Sequence, residues 1–435
     1  MERFALSRMK EWKENENRKP LIIRGARQVG KTWIMKTFGQ QYFEKTAYVN
    51  FDNNARMKQV FEGDLDIERL VLAISAETGV SIEAENTLII FDEIQEVPKA
   101  LTSLKYFYEN APQYAIVAAG SLLGVALHQG TSFPVGKVEF LDLYPLNFRE
   151  FLCAMGEKQF VSMLDSCDTQ MVTVFKTKYI ERLREYYFVG GMPEVVKDFS
   201  EKKDYNRVRA IQKNLINYYQ QDFSKHAEIK LVPRLNLVWN SIPMQLAKEN
   251  KKYIYGQVRE GSRAKDFELA IQWLLDCGLI HKVQRIQKPD LPLKAYIDFD
   301  AFKLFLVDIG LLIAMTDLDA KVIIEGNKIF TEFKGSLTEQ YILQQLISDV
   351  GVIPYYYSTQ NSKGEIDFLV QGKTSVIPIE VKAEENLKAK SLKAFCEKYQ
   401  PSYAVRTSMS DYREQDWMTN IPLYAIKWIE NYVNQ

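Results

Sequence analysis

The sequence predicts an α/β fold whose N-terminal part is a parallel sheet covered by helices, with a second α/β region at the C-terminal end. Over the first 150 residues, short apolar runs alternate with helical segments, the pattern of βαβ units buried on both faces. A glycine-rich loop of the form GxxxxGK[ST] joins the first apolar run to the first long helical segment. Strand and helix patterns alternate again from about 330 onward.

Taken in order, residues 1–18 read as an amphipathic helix with Phe4, Leu6, Met9 and Trp12 apolar among charges. PLIIRG from Pro20 is the first strand, and a helix runs from Lys31 to about Gln40. Strands follow at 46–52, 87–93, 114–120 and 137–143, separated by helices near 64–78 and 100–110. After Pro145 the pattern is helical to about 250, with one break at Gly190-Gly191-Met192-Pro193. A helix over 264–276 and short strands near 279–283 and 295–298 come next. Strands are then expected at 352–357, 365–370, 375–382 and 402–406. The division expected is 1–150 for the nucleotide-binding core, 151–225 for a helical lid, 226–325 for a middle domain and 326–435 for a C-terminal α/β domain.

The 435 residues carry 56 Lys+Arg and 56 Asp+Glu, a formal net charge of zero that excludes a histone-like polycation. Hydrophobic residues make up 46% and charged residues 26%, so several cores can form and global disorder is excluded. Cys153, Cys167, Cys277 and Cys396 are too scattered for a CxxC metal clip, and His128, His226 and His281 stand alone. The first twenty residues are charged throughout, and the most apolar stretch, 305–315, is interrupted by Asp308. A cytoplasmic protein without a membrane partner is the expectation.

Gly25-Ala26-Arg27-Gln28-Val29-Gly30-Lys31-Thr32 matches the phosphate-loop pattern at every fixed position. Its backbone N–H groups would cradle phosphate oxygens, Lys31 would reach the β- and γ-phosphates of ATP, and the Thr32 hydroxyl would hold Mg²⁺. The helix that follows adds its positive end to the same anion. Downstream, Leu88-Ile89-Ile90-Phe91-Asp92-Glu93 is an apolar strand ending in two carboxylates. Asp92 would hold the metal and Glu93 would polarise the attacking water, so the pair points to hydrolysis. Ser121, just after the fourth strand, could orient the water or simply cap a helix. Arg149 in Pro145-Leu146-Asn147-Phe148-Arg149-Glu150-Phe151 is a candidate for stabilising transition-state charge, with a solvated helix position as the alternative.

GARQVGKT, FDEIQ, the Gly120-Ser121 pair, PLNFREF and GGMPE together make the chain resemble prokaryotic AAA+ ATPases that carry a C-terminal conserved domain of uncharacterised function. The resemblance implies an AAA+ core with Lys31, Thr32, Asp92, Glu93 and Ser121 in the roles given above. It also implies a winged-helix-like middle and a nuclease-like C-terminal domain. One departure is Gly136-Lys137, where such proteins often show Gly-Arg, which leaves the arginine finger open. An oligomer is compatible with the resemblance.

The middle segment orders helix, helix, then a β-hairpin, as winged helices do. From Lys248 to Lys288 nine Lys/Arg face five acidic residues, a local excess compatible with phosphate contact from DNA. In the C-terminal part, Glu365-Ile366-Asp367 precedes Ile377-Pro378-Ile379-Glu380-Val381-Lys382. Period-2 alternation puts Glu380 and Lys382 on one strand face. Asp367 and Glu380 could hold a second Mg²⁺, with Lys382 and the helical Glu339 beside them. This arrangement resembles the D…ExK signature of restriction-endonuclease-like folds. A solvated strand face would also read ExK. Three activities therefore stay open: an ATPase driving a nucleic-acid- or partner-engaging module, an ATP-regulated nuclease, and a slow ATP switch acting through protein contacts.

Overall fold

The structure is a computed structural model that describes residues 1–120, 133–248, 252–324, 331–359, 364–384 and 389–435. Two compact units divide the chain: Glu2–Tyr144 together with Asp276–Leu279, and Pro145–Leu275 together with Ile280–Gln435.

In the first unit the sheet consists of β1 (Leu21–Arg24), β2 (Lys45–Asn50), β3 (Thr87–Asp92), β4 (Ala115–Ala119) and β5 (Glu139–Asp142). They lie in the order β2-β3-β4-β1-β5, and every pairing is parallel. Helices α1 (Ala5–Glu14), α2 (Lys31–Tyr42), α3 (Ala55–Glu62), α4 (Ile67–Thr78) and α5 (Pro98–Asn110) complete the unit. This is the helix-covered, all-parallel sheet that the alternating apolar runs predict. β3 and β4 are buried at every residue, as strands covered on both faces must be. One core joins Ile22, Val49, Phe91 and Ile116 of the sheet to Phe61, Ile74, Leu104 and Phe107 of the helices. Truncating a side chain such as Phe91 to Ala would cost about 3–5 kcal/mol.

The sequence reading places one helix near 64–78. Two form, because Asn54 and Asp66 each offer a side-chain oxygen to a backbone N–H three residues on, at Met57 and Arg69. The reading also carries the ATPase core to 150, whereas the compact unit ends at Tyr144. Beyond it, Leu146 N–H donates to Gly191 O at 2.7 Å and Phe148 N–H to Gln345 Oε1 at 2.8 Å, which draws 145–150 into the second unit.

That second unit holds helices from Phe148–Ala154 to Val232–Leu246, then Ala264–Asp276, and an eight-stranded mixed sheet. Its strands are β6 (Ile280–Ile286), β7 (Ile297–Leu306), β8 (Tyr355–Ser358), β9 (Glu365–Gln371), β10 (Val376–Val381), β11 (Val405–Ser408), β12 (Arg413–Gln415) and β13 (Met418–Pro422). The order is β12-β13-β11-β10-β9-β8-β6-β7. β6 and β7 form an antiparallel pair, and β6 also runs parallel to β8 through Arg285↔Tyr356, so pairing crosses the boundary expected near 325. β7 runs well past the strand expected at 295–298. Asp308 then caps the helix Ile309–Met315 by accepting from Leu311 N–H at 3.0 Å, which splits the apolar stretch 305–315 into strand and helix.

The Gly190-Gly191 break is explained by the same aspartate. Asp308 Oδ2 accepts from Gly191 N–H at 2.6 Å. Gly190 has φ +74°, and a Cβ there would sit 2.2 Å from Asp308 Oδ1. Among the described residues no helix is long and apolar enough to cross a membrane.

Candidate nucleotide site

The glycine-rich loop turns between β1 and α2, and its curvature comes from left-handed backbone. Gly25 has φ +143°, and a Cβ there would lie 2.1 Å from Leu143 O. Gly30, with φ +95°, hands the chain into α2 so that Lys31 is its first residue. Gln28 also adopts positive φ, at 65°, a conformation that costs a non-glycine residue energy and concentrates at functional sites. The loop is braced from outside by Arg3, buried at 5% exposure, whose Nη1 donates to Val29 O at 2.9 Å and whose Nη2 donates to Tyr144 O. The charged N-terminal residues thus have a specific job that their amphipathic pattern does not reveal.

Lys31 is 6% exposed. Its Nζ donates to Gly25 O at 2.9 Å and to Ala26 O at 2.7 Å, so the ammonium lies over the loop itself. Burial lowers its pKa to about 8, with Arg27 pushing the same way and the nearby Glu93 and Asp92 carboxylates opposing. An ammonium held by two neutral carbonyls in a desolvated loop gains strongly when an anion arrives.

Asp92 ends β3 at 3% exposure. Its Oδ2 accepts from Thr32 Oγ1 at 2.7 Å, closing the gap between α2 and β3 that the sequence pattern predicts. Its Oδ1 accepts from Glu93 N–H at 3.1 Å. Glu93 itself sits in left-handed backbone at φ 51°, ψ 44°, and Gln95 Nε2 holds its Oε2 at 2.7 Å. That strain at a non-glycine residue re-aims the glutamate relative to the strand it leaves. Thr32 and Asp92 thus form a pair of oxygen donors of the kind that suits Mg²⁺, and the loop suits a phosphate chain.

Tyr48 joins this site unannounced by any motif. Its hydroxyl donates to the same Asp92 Oδ2 at 2.9 Å, and the Lys36 ammonium lies 3.8 Å from its ring centroid. Burial and the Asp92 carboxylate hold the phenol protonated, well above its ordinary pKa. The signal was positional only: Tyr48 lies two residues before Asn50, and Asn50 pairs in register with Asp92.

The other sequence candidates fall elsewhere. Ser121 lies outside the described residues. Arg149 belongs to the second unit, where Nη1 pairs with Asp349 Oδ1 at 2.9 Å and Nη2 pairs with Asp165. This buried ion-pair network gives Arg149 a structural employment. Lys137, at the departure from the family pattern, pairs with Glu109 at 2.9 Å.

In the second unit Lys382 Nζ lies 2.8 Å from Glu380 Oε1, and Asp367 Oδ2 accepts from Val381 N–H at 2.7 Å. Asp367 and Glu380 are neighbours, since the β9–β10 register pairs Phe368 with Ile379 and they come next. Glu339 is brought to Lys303, at 3.6 Å. Lys303 was missed in the sequence because it sits inside the apolar run Ala301–Leu306 and carries no motif. Among the described residues no group of three or more His, Cys, Asp or Glu side chains is arranged to hold a metal.

Three basic residues of the middle segment have partners of their own. Arg285 pairs with Asp298, Lys288 pairs with Asp290 at 2.7 Å, and Lys282 covers the Phe302 ring.

Comparison with known proteins matches three stretches of the chain. A family model described as "AAA domain" matches residues 17–152. A "Domain of unknown function (DUF8612)" matches 180–322, and a "Domain of unknown function (DUF4143)" matches 334–426. No curated protein matches the chain. Among solved structures, the Walker-type ATPase PABY2304 of Pyrococcus abyssi is 15% identical, with 72% of this chain and 95% of that one covered at a TM-score of 0.44. The Aeropyrum pernix Orc1 protein in complex with DNA is 14% identical, covering 72% and 91% at 0.27. The Thermotoga maritima RuvB Holliday junction branch migration motor is 13% identical, covering 64% and 87% at 0.29. The chain is thus similar to an AAA domain over 17–152 and to the DUF4143 domain over 334–426.

Proposed function

We propose that the protein is a Mg²⁺-dependent ATPase whose hydrolysis cycle in the first unit drives or switches the second. The observation that carries this reading is the Thr32–Asp92 hydrogen bond beside a buried, partly desolvated Lys31. Gly25 to Thr32 would hold the triphosphate through backbone N–H groups, and Lys31 would meet its outer phosphates. Thr32 and Asp92 would hold Mg²⁺, which supplies charge neutralisation at the phosphates when bound. Glu93, fixed by Gln95, would accept a proton from the attacking water. Ser121 is proposed as the residue that senses the γ-phosphate.

In this reading residues 151–225 serve as the lid, 226–325 as a winged-helix-like module and 326–435 as the output domain, in a cytoplasmic protein. The output is engagement of a nucleic acid or a protein partner. DNA is the less favoured of the two, because Arg285 and Lys288, two of the nine basic residues from Lys248 to Lys288, are engaged in internal pairs. The test is ATP hydrolysis by the full chain with and without Mg²⁺, beside Lys31→Ala. Loss of nucleotide binding in Lys31→Ala is expected, and unchanged binding would overturn the assignment of the site.

A further inference from the structure

The most unusual group in the second unit is Lys303. It sits in β7 with its side chain fully buried. A lysine ammonium taken out of water costs several kcal/mol unless carboxylates surround it, so its position must be matched by fixed negative charge. That charge comes from Glu365, to which Nζ donates, and from Glu339, 3.6 Å away. The ammonium also lies 4.8 Å from the centroid of the Tyr356 ring.

These are the carboxylates that the D…ExK resemblance would give to a divalent cation. The chain supplies its own cations to each of them. Lys303 serves Glu339 and Glu365, with Asp367 in its field, and Lys382 serves Glu380. Arg406 on β11 stands in register with Glu380. Lys303, which is not part of the D…ExK signature, thus already holds two of the four carboxylates from inside the fold. The arrangement does not fit a resident Mg²⁺. Burial alone would strip the proton from Lys303, but the combined field of Glu339, Glu365 and Asp367 outweighs it and holds the pKa above the ordinary lysine value.

We propose that Lys303 takes the place of the metal in the C-terminal carboxylate cluster, making it a metal-free structural ion cluster that ties the β6–β7 pair to β9 and to the helix Thr331–Gln345. The cluster then carries no phosphodiester cleavage, and the second unit acts by engaging a partner.

Mn²⁺ binding to the full chain without nucleotide, followed by electron paramagnetic resonance, tests this. Wild type and Asp367→Asn are expected to bind the same amount of Mn²⁺, since any ion at Thr32 and Asp92 is common to both. Lys303→Gln is expected to gain one Mn²⁺ per chain that the double variant Lys303→Gln, Asp367→Asn loses, while Lys303→Arg behaves as wild type. A Mn²⁺ bound by wild type and lost in Asp367→Asn would overturn the proposal, as would a folded Lys303→Gln that gains none. Should Lys303→Gln fail to fold, the comparison of wild type with Asp367→Asn still decides.

Discussion

Thr32 Oγ1 and Asp92 Oδ2 lie 2.7 Å apart although 60 positions separate them in the chain. The first opens a helix and the second ends a buried strand two places away in the sheet, so the contact exists only because β1 and β3 flank β4 in a parallel order. Helix N-terminus, acidic strand tip and desolvated lysine are thereby assembled by topology, and Tyr48 is added to them from β2.

Tyr48 acts as a positioning residue. Removing its hydroxyl in Tyr48→Phe leaves Asp92 Oδ2 with Thr32 as its remaining side-chain donor. A hydrogen bond to a charged acceptor is worth about 1.5–3 kcal/mol, and part of that is recovered by water at this half-buried site. The Mg²⁺ concentration for half-maximal ATPase activity should rise roughly five- to tenfold, while Mg²⁺-free nucleotide binding stays close to wild type. A magnesium titration of the two proteins checks this, and identical midpoints would show that Tyr48 only fills space.

Lys31 makes nucleotide affinity depend on pH in a defined direction. Its pKa in the free protein is lowered to about 8 by burial, and the ammonium is the form that binds phosphate. Below about pH 8 that form dominates and affinity is flat. Above it each pH unit should weaken ATP binding about tenfold, because a proton must be taken up on binding. Fluorescence titrations from roughly one pH unit below that pKa to one above it would show the break. A flat profile across that range would mean that Lys31 stays fully charged in the free protein.

Gly190→Ala should destabilise the second unit. The new Cβ would sit 2.2 Å from Asp308 Oδ1 and 2.8 Å from Gly310 N, at a φ of +74°. Strain of that backbone alone costs about 1–3 kcal/mol, and displacing Asp308 adds the loss of its bonds to Gly191 and Leu311. Gly256→Ala is the control, since nothing lies within 4 Å of its Cβ and its φ is not positive. Urea unfolding should separate the two variants clearly.

Much of the first unit was legible in the sequence because its signals are local. β1, β3 and β4 are built on the apolar runs LII, LIIF and AIVAA, and the loop from Gly25 to Thr32 has fixed residues at fixed spacing. What escaped was set by tertiary partners. The long β7 was hidden because Lys303 interrupts its apolar pattern, and that lysine makes sense only beside Glu339 and Glu365, distant in sequence. The unit boundary at Tyr144 was hidden because Phe148 and Arg149 find their partners at Gln345 and Asp349. Tyr48 gave no motif, since a tyrosine alternating with apolar residues in a strand reads as packing. Arg149 meets Asp349 and Asp165, and residue type alone does not say which carboxylate a guanidinium will meet.

The most direct test of the central claim is phosphate release and ATP binding measured side by side for wild type and Glu93→Gln. A water-polarising carboxylate contributes about 10²–10⁴ in rate, so Glu93→Gln should bind ATP as wild type does and lose turnover by that factor. Hydrolysis at the wild-type rate in Glu93→Gln would contradict the account.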